Sequence, residues 1–248
     1  MKKFKYIFFT LIITITFYVG LSPITSIQEM ERLIQEDSTS SSEFYNAFEL
    51  QTSSHEKAFK EAVLIMSAND SISLIINLKD STASLFIKGV TLHSTKISYI
   101  KIDPIITKFN THVYQKLFGK PLLISKQKAT IIKEPIVVIH APKDTLEAAL
   151  NAYKPDTLIQ NPAYIQMKLE HNLHIIMEQE DNPRLNDIWT RFLFRVQNSV
   201  DNSLENLINF SRLRKPTYHP YIQIKIPVDD LRSIYRALPN QPQVVVYF

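Results

Sequence analysis

Glycine is the residue this chain almost lacks: Gly20, Gly89 and Gly119 are the only three in 248 residues, where ordinary usage is about 7%. That scarcity limits what the chain can build. A phosphate-cradling loop or a dinucleotide fingerprint places several glycines close together, because the backbone itself must approach the ligand. A Gly-x-Ser-x-Gly nucleophile elbow needs two glycines around one serine. None of these can be written with glycines so far apart. Cysteine is absent altogether, which excludes disulfides, thiolate metal sites, cysteine nucleophiles and a lipidated N-terminal cysteine. What remains is 45% hydrophobic and 21% charged, an ordinary globular balance, and its core must stabilise it unaided.

The net charge is +4, and Lys2, Lys3 and Lys5 supply three of those charges. The rest is close to neutral and has no surplus for a nucleic-acid face. The basic run at 212–215 reads as a solvated helix end, where cations suit the macrodipole. After the lysines, no charge occurs until Glu29. A positive start, an apolar run and then polar chain is the layout of a secretory signal or an uncleaved anchor. Extended to Ile27, the run reaches the roughly 20 residues that span a bilayer. Ile24-Thr25-Ser26, the best cleavage candidate, puts a bulky isoleucine where a small side chain is preferred. The sequence therefore favours a retained signal anchor over residues 1–27 rather than a cleaved signal peptide. Lysines on its N-terminal side place that end in the cytoplasm. The reading is a bacterial inner-membrane protein whose soluble domain faces the periplasm or the exterior.

Residues 28–54 read as a linker or stalk, because the serine/threonine run at 38–42 has no apolar payload to offset its ordering entropy. Residues 55–248 read as a single exported α+β domain. Apolar spacing predicts a helix over 57–66 with Ser54 as its cap. Alternation then predicts a hairpin from strands at 72–76 and 83–87, with Lys88-Gly89 turning into a third strand at 90–95. Further strands are predicted at 122–125, 129–132, 136–140, 164–177, 221–226 and 244–248, with a helix at 228–238. Residues 187–213 predict one long amphipathic helix. Ile188, Trp189, Phe192, Leu193, Val196, Val200, Leu204, Leu207 and Ile208 recur at spacings of three and four, and such a stripe is expected to pack on the sheet. The alternative is a partner-binding or dimerising helix.

The C-terminal run Ile222-Gln-Ile-Lys-Ile-Pro-Val-Asp-Asp-Leu, continuing to Val244-Val-Val-Tyr-Phe248, resembles the end of an L,D-transpeptidase catalytic domain. There a strand bearing Ser-x-Gly-Cys-x-Arg-Leu leads into an acidic-capped helix, a proline or glycine turn, and a strand of valines and isoleucines. The hairpin at 72–90 resembles that family's opening strands, and Val138-Ile139-His140-Ala141-Pro142 resembles its Ile-His-Gly strand end. The three matches fall in the family's order and cover about a third of the exported chain. The resemblance implies a β-rich transpeptidase-like core with the long helix inserted. It also implies a dismantled site. Gln223 falls where the cysteine belongs, Ile222 on the glycine and Lys225 on the arginine, while His140 stands for the upstream histidine and Ala141 replaces its glycine. An amide cannot become the thiolate that thioester formation needs.

Three other constellations have blander readings. His171 and His174 fall on a predicted strand, three apart and so on opposite faces, with no further ligands to make a metal site. The acidic run at 178–181 reads as a solvated turn. Tyr218-His219-Pro220-Tyr221 is the most conspicuous polar-aromatic cluster, either a rigid loop or a ligand contact through Tyr218, His219 and Tyr221. No cofactor or metal is expected. The function expected first is a non-catalytic peptidoglycan- or protein-binding module of the envelope. The alternatives are an assembly subunit acting through the helix at 187–213, which would expose a large apolar patch there, and a cysteine-free enzyme using His140.

Overall fold

A computed structural model describes residues 47–109, 111–133, 162–180, 185–212, 214 and 217–248, together with Phe9, Thr10, Ile13, Thr14, Thr16 and Phe17. The expected strand at 136–140, and with it His140, lies outside the described residues. The strands predicted from alternation near the start form as β1 (Ser73–Asn77), β2 (Thr82–Ile87) and β3 (Val90–Lys96). Lys88 and Gly89 join β2 to β3 with φ of 48° and 83°, and Ile87 pairs with Val90. A two-residue hairpin turn with both φ positive matches the right-handed strand twist, and it is why glycine stands at 89. α1 (Ala47–Ser67) precedes β1, β4 (Tyr99–Ile102) follows β3, and α2 (Thr111–Phe118) packs beside α1. The remaining elements are β5 (Leu122–Ala129), β6 (Tyr164–Leu169), β7 (His174–Gln179), α3 (Leu185–Ser211), β8 (Tyr221–Ile226), α4 (Val228–Ala237) and β9 (Gln243–Tyr247).

Several boundaries differ from the sequence reading, each for a local reason. α1 starts at Ala47 rather than near 57, inside the stretch read as stalk, because Ala47, Glu49, Leu50 and Gln51 are all good helix formers. The strand expected at 122–125 extends as β5 to Ala129, and the separate strand expected at 129–132 does not form, since 130–132 lie beyond its end. The strand expected over 164–177 is split by a turn at Glu170–Asn172, where His171 and Asn172 both take φ of 57°. β4 and α2 are too short to leave a periodic signature. Among the described residues no helix is long and apolar enough to cross a membrane.

The nine strands lie in the order β3-β2-β1-β9-β5-β6-β7-β8-β4. β3 and β4 therefore sit at opposite ends of the sheet, yet only Ile97 and Ser98 separate them in the chain. Three peptide units span at most about 11 Å. The sheet must curl until its two edges meet, and the hydrogen bonds of the junction agree: Ile97 N–H donates to Ser81 O (2.8 Å) and Ser98 N–H to Lys225 O (2.9 Å). β3 and β4 remain the terminal strands of the ladder, joined through the bend at Ile97-Ser98 and not paired with each other.

One apolar cluster fills the inside of the curl. Leu74 and Ile76, Ala83 and Leu85, Leu122 and Ile124, Ile165 and Met167, Ile175 and Met177, Ile222 and Ile224, and Val244 and Val246 all belong to it. α2 adds Val113, Tyr114 and Phe118, and α4 adds Leu231, Ile234 and Tyr235. Each fully buried aliphatic side chain contributes about 1.5–3 kcal/mol. The outer face differs from place to place. Around β1 and β9 it is apolar, and α1 covers it with Ala62 and Met66 against Phe86 and Val245. Around β6, β7 and β8 it is polar, and α3 covers it.

Candidate functional site

Alternation along the strands decides what faces α3. With Ile165 and Met167, Ile175 and Met177, and Ile222 and Ile224 turned inward, their neighbours must turn outward. The strand registers align those outward side chains in three rungs: Lys168, His174 and Tyr221; Gln166, Ile176, Gln223 and Lys101; and Tyr164, Glu178, Lys225 and Tyr99. α3 presents Arg191, Phe194, Arg195, Asn198 and Asn202 to them across a cleft of ≈ 640 Å³. A second cavity of ≈ 470 Å³ lies further along the helix and shares Gln166, His174, Asn198 and Asn202 with the first.

The helix is held to the sheet by polar ties. Glu178, whose side chain is 3% exposed, takes Arg195 Nη2 on Oε1 at 2.9 Å and Arg191 Nη2 on Oε2 at 2.8 Å. Arg195 Nη2 also reaches Oε2 at 3.2 Å and its Nε reaches Oε1 at 3.3 Å. Lys168 Nζ meets Glu205 at 2.9 Å and Lys128 Nζ meets Asp201 at 2.7 Å. Tyr164 Oη donates to Asp187 O (3.3 Å), and Thr217 N–H to Asn206 Oδ1 (2.8 Å). Phe194 is the apolar exception, buried beside the Tyr164 ring at 6.1 Å between centroids.

This corrects the expectation for the helix. Its apolar stripe does not pack on the sheet: Ile188, Trp189, Phe192, Leu193, Val196, Val200, Leu204, Leu207 and Ile208 are each between 40% and 63% exposed. The sheet beneath carries carboxylate, lysine, imidazole and amide groups, which an apolar face would desolvate without hydrogen bonds at a cost of several kcal/mol. The polar face of the helix satisfies them. The apolar face is left outward along a helix about 40 Å long.

Within the cleft, His174 and His219 stack with ring centroids 4.5 Å apart and planes 10° from parallel. Gln166 Nε2 lies 3.0 Å from His174 Nδ1. An amide nitrogen only donates, so Nδ1 accepts and the neutral ring carries its hydrogen on Nε2. That Nε2 is buried with no hydrogen-bond partner among the described residues, as is Asn198 Oδ1. Burial, then the His219 ring and Lys168, push His174 down to about 3. Burial and Lys168 also lower His219, against the opposing pull of Glu205, whose Oε2 lies 3.6 Å from His219 Nε2. Both imidazoles are neutral at neutral pH.

Of the residues singled out in the sequence, His219, Tyr221, Gln223 and Lys225 line this cleft together. Tyr218 does not: its hydroxyl donates to Asp103 Oδ2 at 2.5 Å, away from the cleft. His140 lies outside the described residues, so its distance from Gln223 is not defined. Two dismissed groups belong to the site. His174 opens β7 while His171 sits in the preceding turn, and Glu178 is a buried strand residue rather than part of a solvated loop. The signal for Glu178 was present, since it continues the outward register of His174 and Ile176. Among the described residues no three histidines, aspartates or glutamates are grouped to hold a metal ion. The arrangement offers cations, the buried Glu178 carboxylate, neutral imidazoles and amides as charged and hydrogen-bonding groups. No family model matches the chain, and no curated protein and no solved structure matches it.

Proposed function

We propose that this chain is a non-catalytic structural subunit of the bacterial cell envelope, tethered by its N-terminal segment and assembled through the outward face of α3. One observation carries the reading: nine apolar side chains of α3 are 40–63% exposed, with Leu204 and Ile208 at the rim of the sheet-side cavity, while polar residues of the helix are tied to the sheet. Scattered exposed apolar residues are normal, but a continuous stripe of this length marks an interaction surface. The catalytic reading is weaker. Gln223, aligned with the L,D-transpeptidase cysteine, ends in an amide that has no thiolate to offer.

The stripe points to a second copy of the chain as its occupant. About a centre at residue 198, Ile188 mirrors Ile208, Trp189 mirrors Leu207, Phe192 mirrors Leu204 and Val196 mirrors Val200. An antiparallel two-fold crossing thus sets large rings against leucines at both ends and valines at the close point. That is the self-complementarity an isologous interface requires. The stripe itself carries no lysine or arginine of the kind that lays a helix on anionic lipid, and Arg195, exposed beside it, is committed to Glu178.

The chain has no native cysteine, so introduced ones report alone. Two differently tagged full-length copies, one Phe192→Cys and one Leu204→Cys, should form a mixed disulfide when co-expressed in membranes. Either variant by itself should not, because like positions lie about 18 Å apart along an antiparallel pair. Failure of the mixed pair, or equal crosslinking of a variant alone, contradicts the proposal.

A further inference from the structure

The cleft beneath α3 is a second feature that the assembly reading does not use. Four cations, Lys101, Arg191, Arg195 and Lys225, line it against the single carboxylate of Glu178. Glu178 already holds both arginines and neutralises one positive charge. Lys101 and Lys225 stand at the mouth, with their ammonium groups 5.6 Å and 5.4 Å from the ring centroids of Tyr221 and Tyr99. Deeper in lies His174, 4% exposed, whose Nε2–H has no acceptor among the described residues, and Asn198 Oδ1, which has no donor among them. A buried donor and a buried acceptor left open in one cavity are uncommon in folded proteins and call for a partner. The cavity volume falls in the range that small-molecule sites occupy.

We infer that this cleft binds a small oxyanion that also carries a hydroxyl or N–H group. The anionic oxygen takes the His174 Nε2–H and the field of Lys101 and Lys225, and the hydroxyl or N–H satisfies Asn198 Oδ1. Tyr99, Tyr221 and Phe194 supply flat apolar surface for the ligand's carbon skeleton. The neutrality of both imidazoles keeps them as directional hydrogen-bonding groups rather than further charges. This inference is independent of self-assembly, because every group in it lies on the side of α3 that faces its own sheet. Phosphate and carboxylate share the recognition chemistry, and the test separates them.

The full-length chain, with histidine imidazoles labelled with ¹⁵N, is titrated with inorganic phosphate, with gluconate and with sorbitol, and His174 is assigned by its loss in His174→Gln. Sorbitol carries gluconate's hydroxyls without its carboxylate. Saturable movement of the His174 Nε2 resonance with phosphate alone identifies a compact phosphoryl group. Movement with gluconate and none with sorbitol identifies a carboxylate, and either result supports the site. In Lys101→Gln/Lys225→Gln, both changes at the mouth of the cleft, affinity should fall about tenfold or more. No movement with either anion overturns the inference. Movement equal for sorbitol and gluconate, or unchanged in the lysine variant, overturns it as well.

Discussion

Acid should loosen this fold well before its carboxylates titrate, and His174 sets the amount. Its folded-state pKa is held at about 3 by burial, the His219 ring and Lys168, against 6.5 for a free imidazole. The unfolded chain therefore takes up a proton that the folded chain refuses, and stability rises with pH across that interval. The contribution is complete above pH 6.5 and is lost progressively as pH falls towards 3. Each pH unit within the window is worth about 1.4 kcal/mol, so moving from pH 7.5 to pH 5 removes about 2 kcal/mol through His174 alone. His219 and His55, both lowered chiefly by burial, act in the same direction. Urea unfolding of the full chain in a mild nonionic detergent, followed by far-UV circular dichroism, measures the loss. His174→Gln isolates its share and should flatten the pH dependence by about that 2 kcal/mol. A stability that differs by less than about 0.5 kcal/mol between the two pH values, or a variant with the native slope, refutes the reasoning.

Further substitutions separate what faces the sheet from what faces water. Glu178→Gln removes the anion shared by Arg191 and Arg195, and the unfolding free energy should fall by about 3 kcal/mol. That is the low end for a broken buried pair, because the Arg195 side chain is 53% exposed; hydrogen exchange should quicken along α3 first. Val196→Asp should change monomer stability by no more than about 0.5 kcal/mol while abolishing self-association. Ile224→Ala, at a side chain with no exposure, should cost about 2–5 kcal/mol, and the reverse ranking in denaturant titrations would place the stripe against the sheet. Tyr218→Phe deprives the buried Asp103 carboxylate of its phenolic donor. A loss of about 1–3 kcal/mol is expected in thermal unfolding, and no loss would show that Asp103 is satisfied by Ile105 N–H alone.

Local periodicity carried the strands and helices whose own residues alternate clearly. β1, β2, β3, β8 and β9, with α3 and α4, are all legible from spacing, as is the turn that Gly89 permits. Closure of the sheet was not legible, because it depends on Ser98 meeting Lys225 across more than a hundred residues. The orientation of α3 departs from the expectation for a physical reason. An amphipathic stripe says that a helix has two faces, and only the surface beneath says which one turns inward. That surface was written in the strands: Gln166, His174, Glu178, Tyr221, Gln223 and Lys225 hold the alternate positions to the buried isoleucines and methionines. Reading those polar positions as a face in need of polar cover would have turned the helix over. Sequence spacing pairs His174 with His171, whereas its contacts are Gln166 and His219, from a neighbouring strand and from the loop before β8.

Trp189, the single tryptophan of the chain, stands 63% exposed on the stripe and tests the account most directly. Acrylamide quenching of its fluorescence is measured for the full chain in lipid vesicles, at high and low protein density and in Val196→Asp. The account predicts an indole shielded at high density that becomes accessible on dilution and in the variant. An indole shielded under every condition would mean the stripe is covered without a second copy. One that is open under every condition would mean that nothing docks there.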